Sequence, residues 1–345
     1  MLYKQSQFTV MPATDFSSLQ NKTIVITGAS SGVGRAAAIE FAKHKATLIL
    51  AARGEKALYE AAEECIEWGA DAIAVVTDVT NANDVKRLAE AAIERGGKID
   101  VWINNAAVLA AGEFDKTPVQ VHTQVIETNL IGYVHGAHAA VSHFIKQGYG
   151  TLINNISIGG YLPVPFGVGY SASKYGIRGF SEALRGELSK YKDIHVCDLF
   201  PAFLDTPGTQ HAANFTGVVL RPAPPVYDPQ KVAKAMVQLA IKPKDGTMIG
   251  SVATLLRFAH FVSPKLSRNF TALFMRTYFN QADEAPATTG NVFEPVAYGT
   301  SIHGGWNSPA DADIRTKRFA VAGLLFAGVT AGLWWMSGRK NKVNL

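Results

Sequence analysis

The chain has 345 residues, 48% of them hydrophobic, and a formal net charge of +5. The length exceeds one typical domain, although a single α/β sheet domain reaches about 250 residues, and the composition supports a large buried core. The modest charge gathers late in the chain, and no basic stripe with interleaved aromatics crosses the motif-bearing region, which argues against nucleic acid as a partner. Cys65 and Cys197 are too few and too far apart for a disulfide framework or a zinc site, and they fit a reducing compartment. Met1 to Gln20 lacks the long apolar core of a secretory signal, so the bulk of the protein is expected in the cytosol.

Residues 1–20 read as an N-terminal arm. Thr23–Thr27 is a short β-branched run expected to form a buried strand, and Val33 to His44 turns helical. Thr47–Ala52 reads as a second strand, Glu55 to Trp68 as a helix, Ala72 to Thr77 as a strand and Asn81 to Arg95 as a helix. The alternation continues through strands at 101–104, 151–156 and 194–200 and helices at 170–191 and 229–241, with a last strand at 247–251. Continuous apolar strands alternating with helices predict an α/β fold: a doubly wound parallel sheet of six or seven strands within residues 21–251.

After Ser251 the character changes. Residues 252–282 carry Arg257, Lys265, Arg268 and Arg276 with no acidic residue, and Leu266, Phe270, Leu273, Phe274 and Tyr278 fall at helical spacing after Pro264. This predicts a basic helical extension that lies on a membrane surface or caps a pocket. Residues 283–318, which begin rich in Pro, Gly, Thr and Asp and lack periodicity, read as a linker or extended arm. Residues 319–336 are uncharged and would span about 27 Å as a helix, close to a bilayer core of about 30 Å. Trp334 and Trp335 end this stretch, cations flank it on both sides (Arg315, Lys317 and Arg318; then Arg339, Lys340 and Lys342 in the basic tail 337–345), and Gly328 and Gly332 form a G-x-x-x-G step. A membrane anchor is expected there, with a buried helix of a soluble dimer as the rival reading.

Thr27-Gly28-Ala29-Ser30-Ser31-Gly32-Val33-Gly34 joins the first strand to the first helix. Glycine lets a backbone turn sharply and approach a pyrophosphate, whose charge the helix N-terminus then meets. Between a strand and a helix, this spacing points to a bound dinucleotide. Cofactor choice turns on the end of the second strand, where an acid would hold the adenine ribose hydroxyls and a base would accommodate a 2′-phosphate. Leu50-Ala51-Ala52-Arg53 offers no acid, and Arg35 follows the last glycine of the turn, so NADP(H) is expected. Tyr170 and Lys174 share one helix face. A nearby ammonium favours phenolate and is expected to lower the tyrosine's pKa from about 10.

With these motifs the chain resembles the short-chain dehydrogenase/reductase family over about residues 20–250. Asn104-Asn105-Ala106-Ala107 stands where the family has N-N-A-G, and Ala202 likewise replaces a glycine in Pro201 to Thr206. The resemblance implies adenine contacts from Asp78 and Val79, further cofactor contacts from Asn105, Ala106, Pro201 and Thr206, and a carboxamide role for Thr206. It implies Asn129, Ser157, Tyr170 and Lys174 as the catalytic set. Ser157 would bind the substrate oxygen, Tyr170 would exchange its proton, Lys174 would hold the nicotinamide ribose and Asn129 would position a relay water. Homodimers or homotetramers are common in the family, and its chemistry needs no metal. The scattered histidines, including His135 and His138, show no metal constellation.

Apolar residues at 159–169 and 203–228 (Leu162, Val164, Phe166, Phe215, Leu220, Tyr227) suggest a lipophilic alcohol or carbonyl as substrate. The expectation is therefore an NADP(H)-dependent oxidoreductase tethered to a membrane, with its catalytic domain on the cytosolic side where the cofactor is supplied. Two alternatives stand beside it: a catalytically silent dinucleotide sensor or scaffold, and an epimerase or isomerase on the same fold.

Overall fold

The structure, a computed structural model, describes residues 19–306. In chain order its elements begin with β1 (Thr23–Thr27), α1 (Gly32–Ala42), β2 (Thr47–Ala52), α2 (Glu55–Glu67), β3 (Asp71–Val76), α3 (Ala82–Gly96) and β4 (Val101–Asn104). They continue with β5 (Ala110–Gly112), α4 (Val119–Ile126), α5 (Gly132–Gln147), β6 (Gly150–Asn155), α6 (Val168–Leu188), β7 (Ile194–Pro201) and β8 (Ala213–Phe215). The described residues end with α7 (Gln230–Ile241), β9 (Gly246–Ile249), α8 (Ser251–Val262), α9 (Pro264–Phe279) and an irregular arm to residue 306.

Seven strands form one parallel sheet in the order β3-β2-β1-β4-β6-β7-β9. All five residues of β1 and all four of β4 are buried, because helices cover both faces of the sheet. One apolar layer packs α1, α2 and α7 against the sheet, and a second packs α3 and α5 against its other face. The strand order reverses between β1 and β4, and in such sheets the crevice beyond the carboxyl ends of the strands at that point takes the ligand. A small pair, β5 and β8, stands apart from the main sheet.

The sheet matches the sequence expectation, with strand ends moved by one or two residues. Helices α4 and α5 and the pair β5–β8 were not resolved as elements from the pattern. The turn Glu127–Ile131 between α4 and α5 is a π-helix, with the Gly132 N–H bonded to the Glu127 carbonyl. Such turns interrupt the regular ladder and are common at functional sites. No helix among the described residues is long and apolar enough to cross a membrane. The anchor expected at 319–336 lies outside the described residues, as do 1–18, 307–318 and the basic tail.

Candidate active site

β6 ends at Asn155, and the chain turns through Ser157, whose backbone sits at φ +108°. That conformation is costly for a residue with a side chain and marks a position held by its surroundings. Ser157 Oγ accepts a hydrogen bond from the Gly159 N–H at 3.2 Å. Helix α6 then brings Tyr170 and Lys174 to the same place. Lys174 Nζ lies 5.6 Å from the Tyr170 ring centroid and 5.2 Å from that of Tyr133, and donates to the Asn155 carbonyl at 3.4 Å. Tyr133 is buried and donates its own O–H to the same carbonyl at 2.8 Å. Tyr133 and the Asn155 carbonyl were not singled out from the sequence; a backbone oxygen leaves no signature there.

Burial pushes the Tyr170 phenol above its ordinary value, while a hydrogen bond with Ser157 pulls the other way. Burial also draws Lys174 down to about 7. The phenol is thus raised, not lowered by a neighbouring ammonium as the sequence led one to expect. Desolvation dominates at both groups: the packing that encloses Tyr170 also makes the lysine's charge costly.

Asn129 is fully buried behind this centre and does not line the cavity. Its Nδ2 donates to the Val108 carbonyl at 2.9 Å and to Ser173 Oγ at 3.2 Å, while its Oδ1 accepts from the Val108 N–H at 2.8 Å. The side chain thus pins the strand-to-loop segment after β4 to helix α6. Both of its amide protons are engaged in these bonds, so the side chain expected to position a relay water instead holds the Val108 segment in place.

The glycine turn fits a dinucleotide. Gly28 (φ +67°) and Gly32 (φ +52°) adopt backbone angles that favour glycine, and a Cβ on Gly28 would stand 2.8 Å from the Ala106 Cα. A Cβ on Gly34 would meet the Gly28 carbonyl oxygen at 2.0 Å, so this glycine serves the turn's own close packing and does not line the cavity. Asn105 closes the turn: its N–H donates to Thr27 Oγ1 at 2.9 Å and its Nδ2 to the Thr27 carbonyl at 3.0 Å. Ala107 and Ala202, which replace family glycines, both lack a positive φ, so neither substitution strains its loop.

A cavity of about 560 Å³ connects these parts. Gly28, Ser30, Ser31, Gly32, Val33 and Arg53 line one stretch of it. Asp78, Val79, Asn105, Ala106, Pro201 and Thr206 line it as well, together with Ser157, Tyr170 and Lys174. Asp78 Oδ1 also accepts from the Thr80 N–H and Oγ1, at 2.9 and 2.8 Å, which fixes the carboxylate at the turn into α3. Arg35 turns away from the cavity, pairing with Glu64 at 2.9 Å and donating to the Thr300 carbonyl at 3.0 Å. Arg53 reaches the cavity, and its terminal nitrogens also donate to the carbonyls of Asn291, Val292 and Phe293.

The rest of the lining is largely apolar. Leu162, Val164, Phe166 and Leu220 face it, as expected, and α9 adds Phe274 and Met275. Phe215 instead packs with β5, and Tyr227 turns to α8, where its O–H accepts from the Val252 N–H at 3.3 Å. His135, at the start of α5, bonds the Val79 carbonyl through Nδ1 at 2.9 Å.

Comparisons with known proteins agree with this geometry. The profile of the family described as short chain dehydrogenase matches residues 22–216. The Bacillus subtilis (strain 168) protein YxnA, described as an uncharacterized oxidoreductase, is 34% identical over 93% of this chain and 92% of its own length. The 11-beta-hydroxysteroid dehydrogenase A of Sesamum indicum is 33% identical over 55% of this chain and 54% of its own. Among solved structures, a variant of actinorhodin polyketide ketoreductase with NADPH superposes with a TM-score of 0.62 at 26% identity, covering 70% of this chain and 99% of that one. An alcohol dehydrogenase from the archaeon Thermococcus sibiricus, complexed with 5-hydroxy-NADP, gives 0.59 at 25% identity over 67% of this chain and 97% of its own. The chain is an oxidoreductase and belongs to the short chain dehydrogenase family.

Proposed function

We propose that the protein is an NADP(H)-dependent oxidoreductase that interconverts a lipophilic alcohol and its ketone or aldehyde. The observation that carries this reading is the convergence of Ser157, Tyr170 and Lys174 with the glycine turn and Arg53 on one largely apolar cavity. The NADP-bound state of the structural relatives supports the cofactor, as does a β2 end that offers Arg53 in place of an acid. Ser30, Ser31, Gly32 and Val33 would hold the phosphates, Arg53 the 2′-phosphate side, and Asp78 and Val79 the adenine. Lys174 and Thr206 would hold the nicotinamide end.

When bound, NADP(H) supplies or accepts the hydride. Ser157 hydrogen-bonds the substrate oxygen, and Tyr170 gives that oxygen a proton or takes one from it. Its raised pKa keeps the phenol protonated at neutral pH, the state that carbonyl reduction needs. Apolar walls from Leu220, Phe274 and Met275 exclude water and accept a hydrophobic substrate.

Replacing Tyr170 by Phe should reduce turnover by at least about a hundredfold, the scale of general acid–base catalysis, while NADPH binding stays within a few-fold of wild type. Near-normal turnover in that variant refutes the role. Turnover at equal NADPH and NADH concentrations tests the cofactor preference, and a strong NADH preference sinks it.

The membrane part of the proposal rests on the uncharged stretch 319–336 and on the face of α8 and α9 turned away from the cavity. That face exposes Leu255, Phe258, Phe261 and Val262, with Phe261 83% exposed, beside the cations Arg257, Lys265 and Arg268. An apolar face edged with cations suits an anionic lipid surface, while Phe274 and Phe279 on α9 line the cavity. The two roles expected as alternatives for this extension are compatible.

A further inference from the structure

Residues 284–306 lack helical or strand periodicity, yet they are tied down along their length. Near the start, Asn214 and Thr288 exchange two backbone hydrogen bonds, at 2.8 and 3.0 Å, and the Asn291 N–H donates to the His211 carbonyl at 2.8 Å. Val292 is fully buried among Val108, Val121, Val125 and Ala213. The segment then crosses the mouth of the cofactor cleft. Its carbonyls at Asn291, Val292 and Phe293 take the terminal nitrogens of Arg53, and the Thr300 carbonyl takes Arg35. The Ser301 carbonyl accepts the N–H of Gly32, a member of the glycine turn itself, at 3.0 Å. Beyond the cleft, the Trp306 N–H donates to Asp205 Oδ1 at 2.8 Å and its indole N–H to the Thr206 carbonyl at 3.0 Å.

The segment therefore bridges the adenine end of the site, at Arg53, and the nicotinamide end, at Thr206. It roofs the cavity without filling it: Asn291, Pro295, Val296, Tyr298 and Thr300 line the cavity of about 560 Å³ together with the glycine turn. The roof also brings an acceptor that the fold leaves unused, since the buried Oδ1 of Asn291 has no hydrogen-bond partner in the protein. A buried polar atom without a partner is costly, so the strap is held at this point against an unmet hydrogen bond.

We propose that residues 284–306 are a strap that encloses the bound dinucleotide. NADP(H) enters and leaves when the bonds from the strap to Arg53, Arg35 and Gly32 release. Arg35 and Arg53 are then latches for the strap, and Arg53 serves the latch and the cofactor side of the cleft at once. The proposal rests on the assignment of the cleft to NADP(H), and its test separates the two.

The geometry offers a lock. A Cβ on Gly54 would lie 3.6 Å from the Pro295 Cβ, within the roughly 3.5–4.5 Å that a disulfide spans. Gly54 has φ −78°, which cysteine adopts without strain, and the native Cys65 and Cys197 are buried. In the full chain carrying Gly54→Cys and Pro295→Cys, NADPH fluorescence is followed by stopped flow, for uptake by cofactor-free protein and for release into excess NADP. Oxidation should slow both rates at least tenfold relative to the reduced form of the same variant, and a reductant should reverse the slowing. Equal rates in the oxidised and reduced forms overturn the strap alone. Failure of wild type to bind NADPH overturns the cofactor assignment and the strap with it. Trp306→Ala, which removes the indole bond to the Thr206 carbonyl and leaves the backbone bond to Asp205, provides an independent arm: release should quicken at least threefold, and unchanged or slower release contradicts the proposal.

Discussion

Lys174 is 2% exposed and reaches the Asn155 carbonyl rather than a carboxylate. Burial brings its folded-state pKa from 10.5 to about 7. Between those two values the unfolded chain keeps the proton and the folded protein does not, so this residue's contribution to stability rises with pH through that window. Below it the lysine is charged in both states and the full desolvation cost remains. Cofactor-free Lys174→Met should therefore melt above wild type at pH 6, by a margin on the order of a few kcal/mol that narrows toward pH 10. A margin independent of pH contradicts the assignment. Asn129 gives a contrasting case. Asn129→Ala would leave the Val108 N–H and carbonyl without their buried partner, at a cost of about 1–3 kcal/mol readable as a lower urea midpoint. Ser157, Tyr170 and Lys174 were legible in the sequence because chemistry and spacing coincide in side chains. The carbonyls of Asn155 and Val108 were not, since every residue has one.

At the scale of elements, the turn from β1 into α1 is the most constrained piece of the site. Gly34→Ala drives a Cβ to 2.0 Å from the Gly28 carbonyl oxygen, and the turn has to move. It should lose about 1–3 kcal/mol of stability by overpacking and weaken NADPH binding together with it, as thermal melting and NADPH titration would show. Gly179→Ala, on the helix that carries Tyr170 and Lys174, meets nothing within 4 Å and should be neutral or stabilising by up to about 1 kcal/mol. A destabilised Gly179→Ala alongside an unaffected Gly34→Ala would reverse this account. The sheet was legible because strands buried on both faces read as continuous apolar runs, as in Thr23–Thr27 and Thr47–Ala52. α4 and α5 were harder, since the π-turn at Glu127–Ile131 breaks their common period. The strap has the sequence character of a linker because its ties run from its backbone to residues between about 70 and 270 positions away, such as Thr288 to the Asn214 backbone and the Thr300 carbonyl to the Arg35 side chain. Periodicity carries no trace of such pairs.

The molecule as a whole combines a Rossmann-type domain with a basic helical pair, of which α9 lines the cavity, and with the proposed strap and C-terminal tether. Truncation after Asp313 keeps the strap and removes residues 319–336, so it should move the protein out of the membrane fraction while leaving NADPH binding unchanged. Retention in that fraction would place the attachment elsewhere, with the apolar face of α8 as the next candidate. The central claim is hydride transfer from NADPH to a lipophilic carbonyl, with Tyr170 as the proton donor. It is tested most directly by following deuterium from the reactive position of labelled NADPH into the product alcohol, in wild type and Tyr170→Phe. Deuterium should appear on the carbinol carbon with wild type and almost not at all with the variant, although both bind NADPH. Equal transfer by the two proteins, or none by a wild type that binds NADPH across a panel of lipophilic ketones and aldehydes, would contradict it.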